Sequence, residues 1–166
     1  MGYTCTVCGA YHDSEVRDIR MTLPDPVFQL DEEEREARAW VGEDSSILRG
    51  EDGQRYFVRG LLELPLRNAD DRFAYGVWVE VAGEDFTILG ELWRDPDGHR
   101  HEPFEGTLAS ELTPYRDTVG LPVDLSLREV DLLPRVELAA AEHPLVHDQR
   151  AGISDHHAHE LGAAVA

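Results

Sequence analysis

The middle of the chain has the strongest pattern of hydrophobic positions. Residues 46–48, 56–66 and 73–81 are rich in β-branched, aromatic and leucine side chains, and polar segments separate them. Such runs between turn-forming residues are typical of strands joined by hairpins. The pattern therefore predicts three neighbouring antiparallel strands. Gly60 and Gly76 fall inside the two long strands, which predicts a bulge or a close backbone approach at each, arising from sheet curvature or from a ligand cleft.

Further strands are predicted toward the C-terminus. Residues 119–127 and 134–138 have the composition of strands, whereas residues 104–112 are ambiguous between strand and helix. The sheet is then expected to have about five or six strands, which is a common size. Strands that follow one another along the chain with short polar connections favour antiparallel pairing.

Helical patterns flank these strands. Residues 31–40 predict a helix that begins with an acidic run. Residues 85–93 predict a second helix, in which Asp85 is a good N-cap and the residues after it form an apolar stripe. Residues 143–149 and 154–166 predict two more helices, with a break at Gly152 and with Ser154 or Asp155 as the second cap. Together the elements predict an α+β fold in which helices pack on an antiparallel β-sheet. The length predicts a single domain over residues 1–166.

The charge balance limits the partners. The chain has 34 acidic and 15 basic residues and a net charge of −19, and every basic residue is Arg. Such a surface repels nucleic acid and anionic membranes, whereas it suits a basic partner protein. Coding bias accounts for the absence of Lys, and salt adaptation is a second explanation of the acidity.

The N-terminus lacks the charged and apolar regions of a secretion signal, and no window resembles a membrane-spanning segment. These features predict a cytoplasmic protein without membrane contact. Two cysteines three residues apart are consistent with a reducing compartment, where such pairs bind metal or take part in redox chemistry.

The cysteine pair is the strongest candidate for chemistry. Cys5, Cys8 and Gly9 have the form of a zinc-knuckle-like turn at the N-terminus, in which both sulfurs converge on one ion. His12 follows closely enough to be a third ligand of a structural zinc site. The fourth ligand must come from far along the chain; His143 is preferred, and the alternatives are His147, His156, His157 and His159.

Other chemistry has weaker support. A thioredoxin-like redox pair is expected at the start of a helix after a strand, and no helical pattern follows Cys8. The histidine-rich segment 156–159 has no His-Glu-x-x-His motif. Asp44 and the segment 115–118 could supply acid or base groups, but isolated carboxylates in so acidic a chain are expected to be solvated.

Several blocks of the sequence resemble a bacterial family classed as domain of unknown function 2199. They are residues 3–12 (YTCTVCGAYH), 56–60 (YFVRG), 73–79 (FAYGVWV) and 143–146 (HPLV), with Gln149 and Gly152. The resemblance implies a single bacterial cytoplasmic domain of no known activity. It also maps the family's cysteines and histidine onto Cys5, Cys8 and His12, and its His-Pro-Leu block onto residues 143–145. Many members have a cysteine where this chain has Ser46, which implies either a missing ligand or a small buried residue.

The sequence thus favours a small zinc-stabilised protein that works by binding another protein, with Cys5, Cys8, His12 and His143 as metal ligands. The alternative is an enzyme. It would be either a zinc-dependent hydrolase with an open coordination position or a Cys-x-x-Cys thiol redox protein.

Overall fold

A computed structural model of the chain describes residues 3–4, 11–12, 17–139 and 141–164. Within these ranges the elements are, in chain order, β1 (Tyr3–Thr4), β2 (Tyr11–His12), β3 (Asp18–Arg20), α1 (Asp25–Phe28), α2 (Glu32–Arg38), β4 (Ala39–Val41), β5 (Ser45–Gly50), β6 (Gly53–Pro65), β7 (Arg72–Val81), α3 (Gly83–Leu92), β8 (Phe104–Leu108), β9 (Pro122–Ser126), β10 (Arg135–Leu138), α4 (Pro144–Ala151) and α5 (Asp155–Ala163). A short 3-10 turn, Gly98–Arg100, lies between α3 and β8.

Five strands close into a small mixed barrel. β6, β7, β8, β9 and β10 pair in this order as antiparallel neighbours, and β10 returns to β6 as a parallel neighbour through Arg135 and Leu61. β6 and β7 are long enough to hold a second partner on their outer edges. The second partner of β6 is β5, and the second partner of β7 is β3. β4 pairs with β5 and ends the sheet.

The barrel interior is filled by alternate residues of its strands, as period-two patterning requires. Val58, Leu62 and Leu64 of β6 belong to one large core with Val77 and Val79 of β7. Residues from α3, α4 and α5 extend this core; they are Leu89, Leu145, Val146, Ala158 and Leu161. A smaller core on the outer face of β5, β6 and β7 contains Val27, Leu48, Phe57, Trp78 and Ala109. The helices and the barrel are therefore joined through one apolar interior.

Gly60 lies in the barrel interior, where there is no room for a side chain. A Cβ atom at this position would collide with the Val136 side chain and would lie 3.1 Å from Leu125 Cδ1. The pairing of β6 with β7 continues without interruption through Gly60 opposite Val77 and Leu61 opposite Gly76. A bulge or a close approach was predicted at both Gly60 and Gly76. Gly60 has the close approach, and neither glycine forms a bulge between β6 and β7.

The strand predictions are confirmed for the central hairpins and for β9 and β10, whereas the prediction of an antiparallel sheet is partly wrong. β10 pairs with β6, and β3 with β7, in parallel. These pairings join segments far apart in the sequence and leave no local turn signal. The sheet of eight described strands also exceeds the predicted five or six, because the three-residue strands β3 and β4 are too short for a recognisable pattern and β8 falls in the ambiguous segment.

The helix ends follow from local capping. Asp31 caps α2 by accepting the Glu34 N–H at 2.8 Å, and Ser154 caps α5 by accepting the His157 N–H at 3.1 Å. α3 begins earlier than predicted, because Ala82 occupies the N-cap position and Asp85 lies in the first turn. Gly152, with φ of 83°, ends α4 as predicted. Among the described residues, none of these helices has the length and apolarity required to cross a bilayer.

Candidate functional site

The predicted metal ligands come from both ends of the chain. Cys5 and Cys8 lie outside the described residues. The strands on either side of them are described: β1 pairs with β2, so that Tyr3 lies opposite His12 and Thr4 opposite Tyr11. The pairing places the backbone of His12 beside the strand that leads into Cys5. The predicted zinc-knuckle-like turn therefore stays a prediction.

His143 is the N-cap of α4. Its Nδ1 accepts a hydrogen bond from the Leu145 N–H at 3.0 Å, and its Nε2 lies 2.7 Å from the Arg116 carbonyl oxygen. The tautomer that fits both contacts has its hydrogen on Nε2, which then donates to the carbonyl. Both nitrogens are thus engaged. His143 would have to give up one of these hydrogen bonds to bind a metal ion.

The other candidate histidines are dispersed along α4 and α5. His147 is exposed, His156 Nε2 lies 3.0 Å from Glu160 Oε1, and His157 Nδ1 lies 3.7 Å from Asp148 Oδ2. In the described part of the chain, no group of three or more His, Cys, Asp or Glu side chains could hold a metal ion. Ser46 is fully buried in β5 and donates to the Trp40 carbonyl oxygen at 2.9 Å, which is the environment of a small buried residue.

A buried polar cluster lies where α4 and α5 meet the barrel. The Tyr115 hydroxyl donates a hydrogen bond to Asp148, whereas the buried Tyr75 hydroxyl makes no hydrogen bond with a described residue. Burial and the Asp148 carboxylate raise the pKa of both tyrosines above the ordinary value. Both phenols are therefore neutral and poor bases. The hydrogen bond from Tyr115 to Asp148 links the loop that contains Tyr115 to α4.

An open apolar cavity of about 610 Å³ lies between β5 and α3. We name it the β5–α3 groove. Its lining combines apolar and aromatic side chains with one acidic and one basic residue: Trp40, Ile47, Val58, Phe86, Leu89, Trp93, Asp44 and Arg94. Large apolar pockets with a few polar groups are the usual form of a ligand site.

The groove follows from the periodicity of two elements. Trp40 pairs with Ile47, and Val58 with Ser45, so these residues share one face of the sheet edge. Phe86, Leu89 and Trp93 form a stripe along the facing side of α3. Leu89 is fully buried, whereas the Trp40 side chain remains 56% exposed. The sheet edge therefore presents an aromatic side chain to solvent beside the apolar cavity.

The two chain segments that form the groove are acidic. Residues 39–48 contain two acidic residues and no basic one, and residues 83–95 contain four acidic residues and one basic one. The six acidic residues are Glu43, Asp44, Glu84, Asp85, Glu91 and Asp95, against Arg94; Asp44 and Arg94 line the groove itself, and Glu43 lies on the opposite face of the sheet. The groove therefore attracts positively charged groups.

A second, polar cavity of about 360 Å³ lies on the opposite face of the sheet, and Asp44 borders both. We name it the Arg59 cleft. Its lining includes Asp18, Arg20, Glu43, Arg59, Leu61, Gly76, Asp131 and Leu133. Arg59 Nε lies 3.6 Å from Asp44 Oδ1. Burial and the neighbouring Arg20 lower the pKa of the Arg59 guanidinium below its ordinary value.

Sequence reasoning missed most of these residues. The predicted helix over residues 31–40 placed Trp40 at its end, but α2 ends at Arg38 and Trp40 belongs to an edge strand. Asp44 is expected to be solvated; its side chain is 39% exposed, and it also lies beside the buried Arg59. A large aromatic residue immediately after a solvated acidic helix was the one available signal.

The fold and the groove define a class: a small α+β protein with a mixed five-stranded barrel and an open apolar surface groove. The chain belongs to the family described as an uncharacterized protein conserved in bacteria (DUF2199), whose family model matches residues 4–153. This confirms the resemblance found in the sequence. No curated protein and no solved structure matches the chain.

Proposed function

We propose that the protein is a binding module whose β5–α3 groove receives an apolar segment of a positively charged partner protein. The observation that carries the proposal is the exposed Trp40 beside an apolar cavity that lies between two acidic chain segments. Exposed apolar surfaces rimmed by polar groups are typical of interaction sites.

Trp40 is suited to anchor such a partner. Tryptophan buries a large apolar area at a low cost in side-chain entropy and is enriched among the residues that dominate binding energy. Trp93 and Phe86 line the same cavity from α3. An aliphatic side chain of the partner would therefore be enclosed by aromatic residues from both elements.

The acidic segments that form the groove favour a basic rather than an acidic partner. Arginine or lysine residues on either side of the apolar anchor would lie near Asp44 and near the acidic residues of α3. Such complementarity speeds association and makes binding dependent on salt. The net charge of −19 adds a long-range attraction of the same sign.

Binding of a designed peptide tests the groove. The probe is a capped hexapeptide with two central leucines between pairs of arginines, added to the full chain and followed by calorimetry and by the indole N–H signals of Trp40 and Trp93. We expect saturable binding that shifts both signals, and Trp40→Ala should weaken it about tenfold or more, since one anchor is worth about 1.4 kcal/mol or more.

Phe28→Ala is the matched control, because Phe28 is 65% exposed and does not line the groove. It should leave the peptide affinity unchanged. Peptides in which glutamate replaces arginine, or serine replaces leucine, should not bind. Equal affinity of the Trp40→Ala and wild-type proteins for the leucine peptide would overturn the proposal.

We also propose that Cys5, Cys8 and His12 hold a structural zinc ion. Metal analysis of protein purified without added zinc should give about one equivalent, and Cys5→Ser should remove it and lower the melting temperature. His143→Asn should retain the zinc, because both ring nitrogens of His143 are engaged and Asn is also a good N-cap. Zinc-free wild-type protein would contradict the site, and loss of zinc from His143→Asn would instead make His143 a ligand.

A further inference from the structure

The Arg59 guanidinium is held rigidly at the base of the Arg59 cleft. Its side chain is only 3% exposed and stacks 4.5 Å from the Trp78 ring. Nε donates to the Glu43 carbonyl oxygen at 3.2 Å and Nη1 to the Met21 carbonyl oxygen at 2.7 Å. Nη2 makes no hydrogen bond with any described residue, so a fixed pair of N–H donors remains for a ligand.

Gly76 leaves room for a methyl group beside the Nη1 end of the Arg59 guanidinium. A Cβ atom at Gly76 would lie 3.7 Å from Arg59 Nη1 and 3.6 Å from Arg20 Cα, which are ordinary van der Waals distances. The strand could therefore accept an alanine, and its methyl group would occupy part of the cleft next to the guanidinium. The absence of a side chain at Gly76 thus leaves space in the cleft next to the guanidinium.

The rest of the cleft offers both signs of charge and an apolar wall. Arg20 lines the cleft with Arg59. Glu43 and Asp131 also line it and form no close ion pair with a described residue, although the charge of Glu43 acts on Arg59. The other two carboxylates already have partners, because Asp18 lies 3.3 Å from Arg72 and Asp44 lies beside Arg59. The apolar wall consists of Ile19, Leu61 and Leu133.

We propose that the Arg59 cleft binds a free amino acid with an aliphatic side chain. Its carboxylate accepts hydrogen bonds from Arg59 and lies near Arg20, its ammonium group lies near Glu43 and Asp131, and its side chain contacts the apolar wall. Arginine is the residue best suited to carboxylates in buried sites. The excess of acidic groups in the cleft disfavours a simple anion, whereas the ammonium group of a zwitterion is attracted to them. The cavity of about 360 Å³ is in the range of small-molecule sites.

Three matched ligands test the recognition: L-leucine, its amide, which lacks the carboxylate, and 4-methylpentanoate, which lacks the ammonium group. The readout is the ¹⁵N-detected Nε–H signal of Arg59 in the full chain, assigned by its loss in Arg59→Lys. We expect a saturable shift with leucine at millimolar concentrations and at least about tenfold weaker binding of the other two. No saturable shift with leucine, or equal binding of the amide, would overturn the proposal.

Gly76→Ala provides a test that does not depend on removing the buried arginine. It should keep the fold and weaken leucine binding about tenfold or more, because the added methyl group fills the space beside Nη1. Trp40→Ala, on the opposite face of the sheet, should leave leucine binding unchanged. Leucine binding that survives Gly76→Ala but is lost in Trp40→Ala would place the ligand in the β5–α3 groove and contradict the inference, whatever the outcome of the peptide experiment.

Discussion

Replacing Gln149 by leucine is expected to lower the free energy of unfolding by about 2 to 5 kcal/mol, because two partly buried backbone groups lose their partners. The Gln149 carboxamide lies where β6 and β10 separate. Its Oε1 accepts the Leu138 N–H at 2.7 Å, and its Nε2 donates to the Val136 carbonyl oxygen at 2.9 Å and lies 3.5 Å from that of Glu63. The carboxamide thus takes the place of a backbone peptide group between β6 and β10. These two strands make only one direct Cα pairing, Arg135 with Leu61.

Urea denaturation measures the effect, with Arg150→Leu as the control. Arg150 is the next residue of α4 and is exposed, so the same substitution there should change stability by no more than about 0.5 kcal/mol. If the Gln149→Leu and Arg150→Leu proteins unfold at the same urea concentration, the carboxamide does not help to close the barrel.

Gly60→Ala is expected to cost about 1 to 3 kcal/mol through overpacking. The new methyl group points into the barrel, against the Val136 side chain and the Leu125 Cδ1 atom. Val136 and Leu125 are themselves fully buried and belong to adjacent strands. Neither can move aside without displacing a neighbour, because the interior is close-packed.

Gly76→Ala is the matched control in thermal unfolding, since Gly76 lies in the neighbouring strand β7 and its added Cβ meets only ordinary contacts. It should be neutral or stabilising by up to about 1 kcal/mol, because alanine reduces the entropy of the unfolded chain. Similar losses of stability in both alanine variants would mean that backbone flexibility, rather than packing in the barrel, explains the glycine at position 60.

The sequence was sufficient for the elements that local rules govern. Runs of β-branched, aromatic and leucine residues located β6 and β7, and the Glu51–Gly53 segment located the turn before β6. Ser154 was one of two recognisable cap candidates for α5, and Gly152 was a recognisable helix end. Each of these features depends on residues within a few positions of one another, so a single sequence contains the whole signal.

The sequence-based prediction was least complete for the candidate sites. Trp40 looked like a helix residue because the acidic run before it has no stop signal, and the strand it joins is defined only by pairing with Ile47. Arg59 looked like one of many charges in a strand. Its burial depends on Met21, Trp78 and the turn at residues 43–44, which lie on three other segments of the chain.

The sequence by itself thus determined the α+β class, the central hairpins, the acidic surface and membership of the DUF2199 family. The tertiary structure decided that the sheet closes into a barrel, that Gly60 is needed inside it, and that the β5–α3 groove and the Arg59 cleft lie on opposite faces of one sheet edge. The physical reason is the range of the interactions. Turns and caps are local, whereas strand closure and cavity walls depend on contacts between residues far apart in the sequence.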